Sequence, residues 1–432
     1  MEVRVLGNDP SSRTRSLGLV GLGIVASGLL VNAYLAIIAR SLPAADYAYF
    51  GAFWSLALVA GFGVFLSVEQ ETARLLQTPG RPLGVLKAAL FTAGAMALAQ
   101  IALLALAWPL LGRAFGGHAV TVVAFGVLCV VSAGQFVVRG ALIGMDRMGR
   151  HAFIMFLDAA LRVGFAALVA LLVGDPGSPE FACTLVAAIA LSHAPQLVSL
   201  LRRRTRAATE ADPAAGSLGP RAVWAAVAPL LLGSLCAQIL LNGPPVLVPA
   251  LAGNEIDATR AGQFLAVFTL TRIPLFLVVP LQTALLPMLT ATLHSGDRAA
   301  LFRVIRRISA GLLALATAAL TLAYLAGPWL VGLVFGPQYV LPAGHVAILA
   351  VGVTAYIGMV LVTQVLVAAV RHRLVGWSWL SGLLVAALTM TLVSDLLLRA
   401  ELAFLLGSLA GWLVGTALVL TKPRERVLQS VR

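Results

Sequence analysis

The chain has 432 residues, 60% of them hydrophobic and 11% charged, with a formal net charge of +13. That balance lies outside the range of soluble globular domains, and apolar runs of about 20 residues recur along the whole length, each long enough to cross a ~30 Å hydrocarbon layer. No stretch is left over for a separate soluble domain, and the position of the basic residues argues against nucleic acid as a partner.

Twelve helices are expected, at about 17–39, 47–68, 88–111, 119–139, 153–174, 181–201, 222–250, 261–290, 308–330, 345–370, 374–396 and 402–421. The gaps between them alternate in charge. One alternate set holds most of the arginines, among them Arg13, Arg15, Arg74, Arg139, Arg147, Arg202, Arg303, Arg306, Arg307 and Arg371; the other holds Arg40, Arg113, Arg260 and Arg399. The positive-inside rule then places both termini in the cytoplasm. Asp46, Asp175, Glu180, Glu255, Asp257 and Glu401 fall on the outer side. The expected architecture is an all-α integral membrane protein in two six-helix halves, 1–201 and 222–421. A linker at 202–221 and a tail at 422–432 lie in the cytoplasm.

The first helix offers a small-residue face, Gly18, Gly21, Gly23, Ala26 and Gly28, for close helix contact, followed by Asn32. The second runs from an outer aromatic belt at Tyr47 and Tyr49 to "FLSVEQETARLLQ". Glu69 falls about 20 residues beyond the belt, or ~30 Å, at the inner boundary. Glu71 and Arg74 are i,i+3 partners. We read this stretch as a helix end running into water, with Glu69, Glu71 and Arg74 as a cytoplasmic gate.

The fifth helix carries Asp158 and Arg162 four apart, acid first, the favourable order for a pair. Such a pair is either purely structural or lines a cavity where Asp158 takes up H+ or Na+. In the sixth helix His193 stands beside Pro195; a solitary helix histidine is usually just hydrogen-bonded. The seventh contains "LNGPPVLVP", where Asn242, Gly243, Pro244 and Pro245 are expected to interrupt the helix, and Gly243, Pro244 and Pro245, with Pro274 of the eighth, to act as a hinge. The eighth places Arg272 about 11 residues from its outer end, ~16 Å deep, where an unpartnered arginine costs at least ~2.5–3.5 kcal/mol. Pro274 and Pro280 should kink this helix. Arg272 is read either as an anion-binding group in a central cavity or as an arginine paired for packing.

The halves share a pattern. "WPLLGRAFG" (108–116) and "PWLVGLVFG" (328–336) match at Leu110/Leu330, Gly112/Gly332, Phe115/Phe335 and Gly116/Gly336, and Asn32 and Gln70 have counterparts in Asn242 and Gln282. Such a repeat is parallel, and in transporters built this way the site lies between the halves near the midplane. No Gly-Lys phosphate loop, HExxH or CxxC is present, so neither ATP hydrolysis nor covalent catalysis has a candidate constellation. Cys129, Cys183 and Cys236, all within helices, imply no disulfide framework.

"LAIIARSLPAADYAYFGAFWSL" followed by "FLSVEQETARLL" resembles the first two helices of bacterial polysaccharide (O-antigen and exopolysaccharide, Wzx-type) flippases. "PLLLGSLCAQILLNGPPVLV" and "FTLTRIPLFLVVPLQTALLPML" resemble the seventh and eighth helices of the same group. These flippases belong to the superfamily of the multidrug and toxic compound extrusion (MATE) exporters. The resemblance covers most of the chain, and about twelve helices fit it better than the fourteen of lipid II flippases. It implies a non-enzymatic transporter in the bacterial cytoplasmic membrane. Such a protein would move a polyprenyl-diphosphate-linked oligosaccharide to the outer leaflet by alternating access, alongside polysaccharide polymerases or glycosyltransferases. Arg272, and with it Arg162, would hold the diphosphate; Asn32, Asn242 and Gln282 would hydrogen-bond sugars; no cofactor beyond a coupling H+ or Na+ is implied. The competing reading is a cation-coupled multidrug antiporter. A glycosyltransferase would need catalytic carboxylates or an external domain, and a non-transporting scaffold should tolerate neutralisation of Arg272 and Asp158 together.

Overall fold

The computed structural model describes residues 27–77, 82–208, 220–278, 289, 298–369 and 371–421. Every regular element among them is helical. The longer ones, in chain order, are α1 (Ser27–Ser41), α2 (Ala44–Gln77), α3 (Pro82–Leu106), α4 (Ala119–Gly144), α5 (Met148–Leu172) and α6 (Ser178–Ala208), with a short helix at Trp108–Ala114 after α3. Then follow α7 (Pro220–Leu251), α8 (Glu255–Thr271), α9 (Arg298–Val334), α10 (Ala343–Ala368), α11 (His372–Leu392) and α12 (Leu396–Leu420). Ten of these are long and apolar enough to span a membrane. With no water at that depth, backbone groups must bond within each segment, which is why apolar runs of this length are helices. The chain is a multi-pass membrane protein.

Helices α2 to α6 pack on one another, as do α8 to α12, while α7 touches both sets. The sets meet closely at the end expected to face outward. Gly262 of α8 sits so close to α2 that a Cβ there would lie 1.9 Å from the Ala44 carbonyl oxygen. Nearby, Tyr339 Oη donates to the carbonyls of Ala39 at 2.8 Å and Leu42 at 3.0 Å, and Arg40 Nε donates to Val334 O at 3.0 Å. The matched glycines Gly116 and Gly336 both take positive φ, +64° and +121°, and the preceding Phe115 and Phe335 are both fully buried.

Besides α8, which was expected to run to 290 and ends at Thr271, three segments depart from expectation. First, α2 contains a π-helical stretch, Val59–Phe65, rich in glycine, whose loosened ladder lets Gly63 O accept a hydrogen bond from Ser234 Oγ of α7 at 2.8 Å. Second, α7 is continuous through Asn242, Gly243, Pro244 and Pro245. The expected interruption is absent because a carbonyl freed by a proline is taken by another group, as described below. Third, the eleventh helix ends at Leu392 rather than 396, since Asp395 is the N-cap of α12.

That cap is a compact local device. Asp395 Oδ1 accepts from the backbone N–H of Leu398 at 2.9 Å and of Leu397 at 3.0 Å, and Oδ2 pairs with Arg260 Nη2 at 3.2 Å. The Leu398 N–H, and after it Arg260, holds the carboxyl below the usual aspartate range. A depressed carboxylate contributes stability above its unfolded pKa of ~3.9, and that contribution disappears as pH falls through the lower folded value. Asp395→Ala should therefore lower thermal stability by about 1 kcal/mol at neutral pH and by less in acid, while Asp395→Asn, itself a good cap, should change it by roughly half as much or less. Thermal unfolding of both variants at pH 7 and pH 3 checks this.

Candidate functional site

Two polar clusters lie within the helical body. The first surrounds Arg272, the residue on which α8 ends. Pro274 is the second residue of the 3₁₀ turn Ile273–Leu277, so the helix breaks here because that proline supplies no N–H to continue it. The Arg272 side chain folds back over its own last turn, and its guanidinium carbon sits 3.8 Å from the centroid of the Phe268 ring. Nη1 donates to Asn242 Oδ1 at 3.1 Å, and Nη2 donates to Leu241 O. That carbonyl is four residues before Pro245, which has no N–H to engage it, so the proline in α7 frees the acceptor that the arginine uses. Asn242 is fully buried and donates its other amide group to Gln238 Oε1 at 2.7 Å. Arg272 Nε has no partner among the described residues. Nor does any described carboxylate pair with this guanidinium. Leu241 stands ten residues from the outer end of α7, or ~15 Å, so the cation lies near mid-membrane.

The second cluster is built on α5. Asp158 is buried and is held by both Nε of Arg162, at 3.1 Å, and Nη2. The Arg162 guanidinium covers the ring of Trp54 at 5.6 Å, and that ring packs against Tyr34, 5.7 Å between centroids. His193 is buried on α6, its Nδ1 2.7 Å from Ser192 Oγ and 3.1 Å from Ile189 O. Among the described residues no hydrogen bond or ion pair joins the Asp158 cluster to Arg272.

The other candidates separate from these clusters. Asn32 bends back on its own helix, donating to Gly28 O at 2.9 Å. Gln282 and Pro280, like Gly18, Gly21 and Gly23, lie outside the described residues. Glu69 and Glu71 are a correction, because they lie on the buried side of the end of α2, while Gln70, Arg74 and Gln77 form its exposed side. Both acids are buried, at 6% and 3% exposure, while Arg74 reaches water. Glu71 does take its i,i+3 partner, with Arg74 Nε at 2.8 Å and Nη2 at 2.6 Å. Glu69 pairs instead with Arg139 of α4, Oε2 to Nε 2.9 Å, and the guanidinium is flanked by Phe62 at 5.2 Å and Phe136 at 4.7 Å. Arg139, counted above among the cytoplasmic charges, is thus buried.

The reason is backbone contact. Gly140 and Gly144 let α2 lie directly on α4, where a Cβ would meet Glu69 O at 2.5 Å or Ala73 O at 2.6 Å. The signal was present as "GALIG", a small-xxx-small interface, just after Arg139.

No protein-family model matches the chain. It is 28% identical over 422 residues to an uncharacterized protein of Mycobacterium tuberculosis, covering 94% of this chain and 92% of that one. A second uncharacterized protein, from Mycobacterium bovis, is 28% identical over 420 residues, with 94% and 91% covered. Among solved structures, an inward-facing multidrug resistance MATE family transporter of the MOP superfamily superposes with a TM-score of 0.67 at 13% identity, covering 96% of this chain and 99% of that one. A MOP superfamily transporter from Pyrococcus furiosus, described as having a binding pocket of reversed polarity that suggests a different function, gives 0.59 at 16% identity, with 93% and 94% covered. The fold is that of the MATE-like transporters.

Proposed function

We propose that this protein is a flippase that carries a polyprenyl-diphosphate-linked oligosaccharide from the inner to the outer leaflet of a bacterial cytoplasmic membrane. The observation that carries the reading is Arg272, a guanidinium at mid-membrane depth held, among the described residues, by a side-chain amide, a backbone carbonyl and an aromatic face. With no carboxylate among the described residues to neutralise it, the group keeps a net positive charge where an anion gains most from it. Two diphosphate oxygens can displace the neutral acceptors and take the planar fork bidentately, while Nε, unpartnered among the described residues, still has a hydrogen bond to give. Asn242 and Gln238 then offer amides to sugar hydroxyls, and the lipid tail stays in the bilayer between helices.

The MATE-like fold supports a transport role by alternating access and gives no support to an enzymatic one. Asp158 with Arg162 is our candidate for H+ or Na+ coupling, and polymerases or glycosyltransferases of the same pathway are candidate partners. The runner-up, a cation-coupled multidrug antiporter, rests on the buried Asp158. Arg162 already engages both oxygens of that carboxylate, so a cationic drug would have to displace a tethered guanidinium.

The test is to delete the gene and measure which leaflet holds the lipid-linked oligosaccharides. Inner-leaflet accumulation rescued by wild type but not by Arg272→Ala is the expected result. Arg272→Lys keeps the charge and loses the fork, and should rescue roughly tenfold less well, about the value of one charged hydrogen bond at ~1.5 kcal/mol. An unchanged leaflet distribution in the deletion strain would overturn the lipid-glycan reading and bring the antiporter forward.

A further inference from the structure

Glu401, expected in an outer loop, is instead wholly buried on α12, two turns below the Asp395 cap. Its carboxylate's partner among the described residues is His345, at the start of α10, whose Nδ1 lies 2.8 Å from Oε1 and 3.0 Å from Oε2. The histidine side chain is 24% exposed, so one member of the pair faces water and the other is sealed. Among the described residues the other charged groups acting on Glu401 are Arg260 on α8 and Asp395, paired with each other at 3.2 Å, while Arg399 lies on the far side of α12.

We propose that His345 and Glu401 form a proton-binding site at the end of the C-terminal helices expected to face outward, and that its occupancy is transmitted to Arg272. Each member can bind a proton, and because they touch, a proton on one changes what holds the other. With one proton between them the pair is an ion pair, or its neutral equivalent, that ties α10 to α12. A second proton neutralises the buried carboxylate. The imidazolium then has no anion to hold it and turns toward the water it already touches, so α10 and α12 lose this strap while Arg260–Asp395 remains.

Both helices lead to Arg272 through packed rings. Phe404 follows Glu401 by one turn of α12, and Tyr356 lies three turns below His345 on the same face of α10. The two rings stack with 5.9 Å between centroids; Phe404 packs edge-on against Phe268 at 4.9 Å, and Phe268 carries the Arg272 guanidinium. Tyr356 also donates to Ala237 O of α7 at 3.2 Å, one turn before Leu241. A shift of α10 against α12 therefore moves the floor on which the cation rests. The proton site stands on its own geometry, whereas its meaning for transport rests on the reading of Arg272 given above.

The experiment uses the full-length protein in nanodiscs, with Cys129, Cys183 and Cys236 replaced and spin labels at Ile256 of α8 and Leu392 of α11, both 73% exposed. Distances are recorded from pH 8 to pH 5. Wild type should show two distance populations whose ratio changes at least about fivefold. Glu401→Gln should hold the acid ratio at every pH. Should that variant not fold, His345→Gln, at the half-buried member, should likewise lose the response. A wild-type ratio independent of pH, or a full response surviving in either variant, would overturn the proposal. No substrate is used, so this outcome is independent of the leaflet assay, and failure of either leaves the other standing.

Discussion

Arg139→Ala should destabilise the protein by about 3–5 kcal/mol, the cost of leaving the buried Glu69 carboxylate without its partner. The loss includes the packing of the guanidinium between Phe62 and Phe136, which a shortened side chain cannot replace. Glu69→Ala should cost a similar amount for the converse reason. The double change Glu69→Leu with Arg139→Leu should cost far less than the sum, because it removes both charges and refills the space with carbon. Unfolding in mixed micelles, followed by the fluorescence of the seven tryptophans, gives all three values. An Arg139→Ala variant within about 1 kcal/mol of wild type would mean that water reaches this pair and that this side of the end of α2 is solvated after all.

Gly262→Ala should have the second large effect, of a different kind. The added methyl meets backbone, Ala44 O at 1.9 Å and its carbonyl carbon at 2.6 Å, and backbone in a packed helix cannot step aside as a side chain can. Separating α8 from α2 far enough to admit it opens the seam that Tyr339 and Arg40 also bridge. A cysteine placed at Ala48, 1% exposed in α2, should react at least about tenfold faster with a membrane-impermeant thiol reagent in this background. Gly126→Ala and Gly233→Ala, which would meet nothing within 4 Å, are the controls and should leave the rate unchanged. Equal rates in all three would show that the seam has room the static packing does not reveal.

Much of the fold was legible because its signal is long-range and simple. Apolar length alone located the helices, and the structure moved most boundaries by only a few residues. Arg272 was legible for the same reason, since a lone guanidinium in an apolar run stands out. Its partners were only partly so: Asn242 was noted as a break residue, but nothing local says that Pro245 leaves Leu241 O open to a side chain thirty-one residues on.

The failures share one cause. Glu69, Arg139 and Glu401 sit at helix ends, where hydropathy cannot distinguish a charge in water from a charge sealed between helices. Only a partner on another helix settles that, and pairing across 56 or 70 residues leaves no periodic trace. The π-helical stretch of α2 was equally hidden, as its glycines fit a regular helix just as well.

The proline in α7 carries a wider consequence. By withholding one N–H, Pro245 makes a main-chain oxygen into half of the anchorage for a cation on a different helix. The strength with which Arg272 is held is thus written at a position that never touches it. A chain with Pro245→Ala would close that oxygen into its own helical ladder, leaving the same arginine, at the same depth, hungrier for an anion. Among relatives of this fold, proline content in the seventh helix would then tune affinity without any change in the residues that meet the cargo.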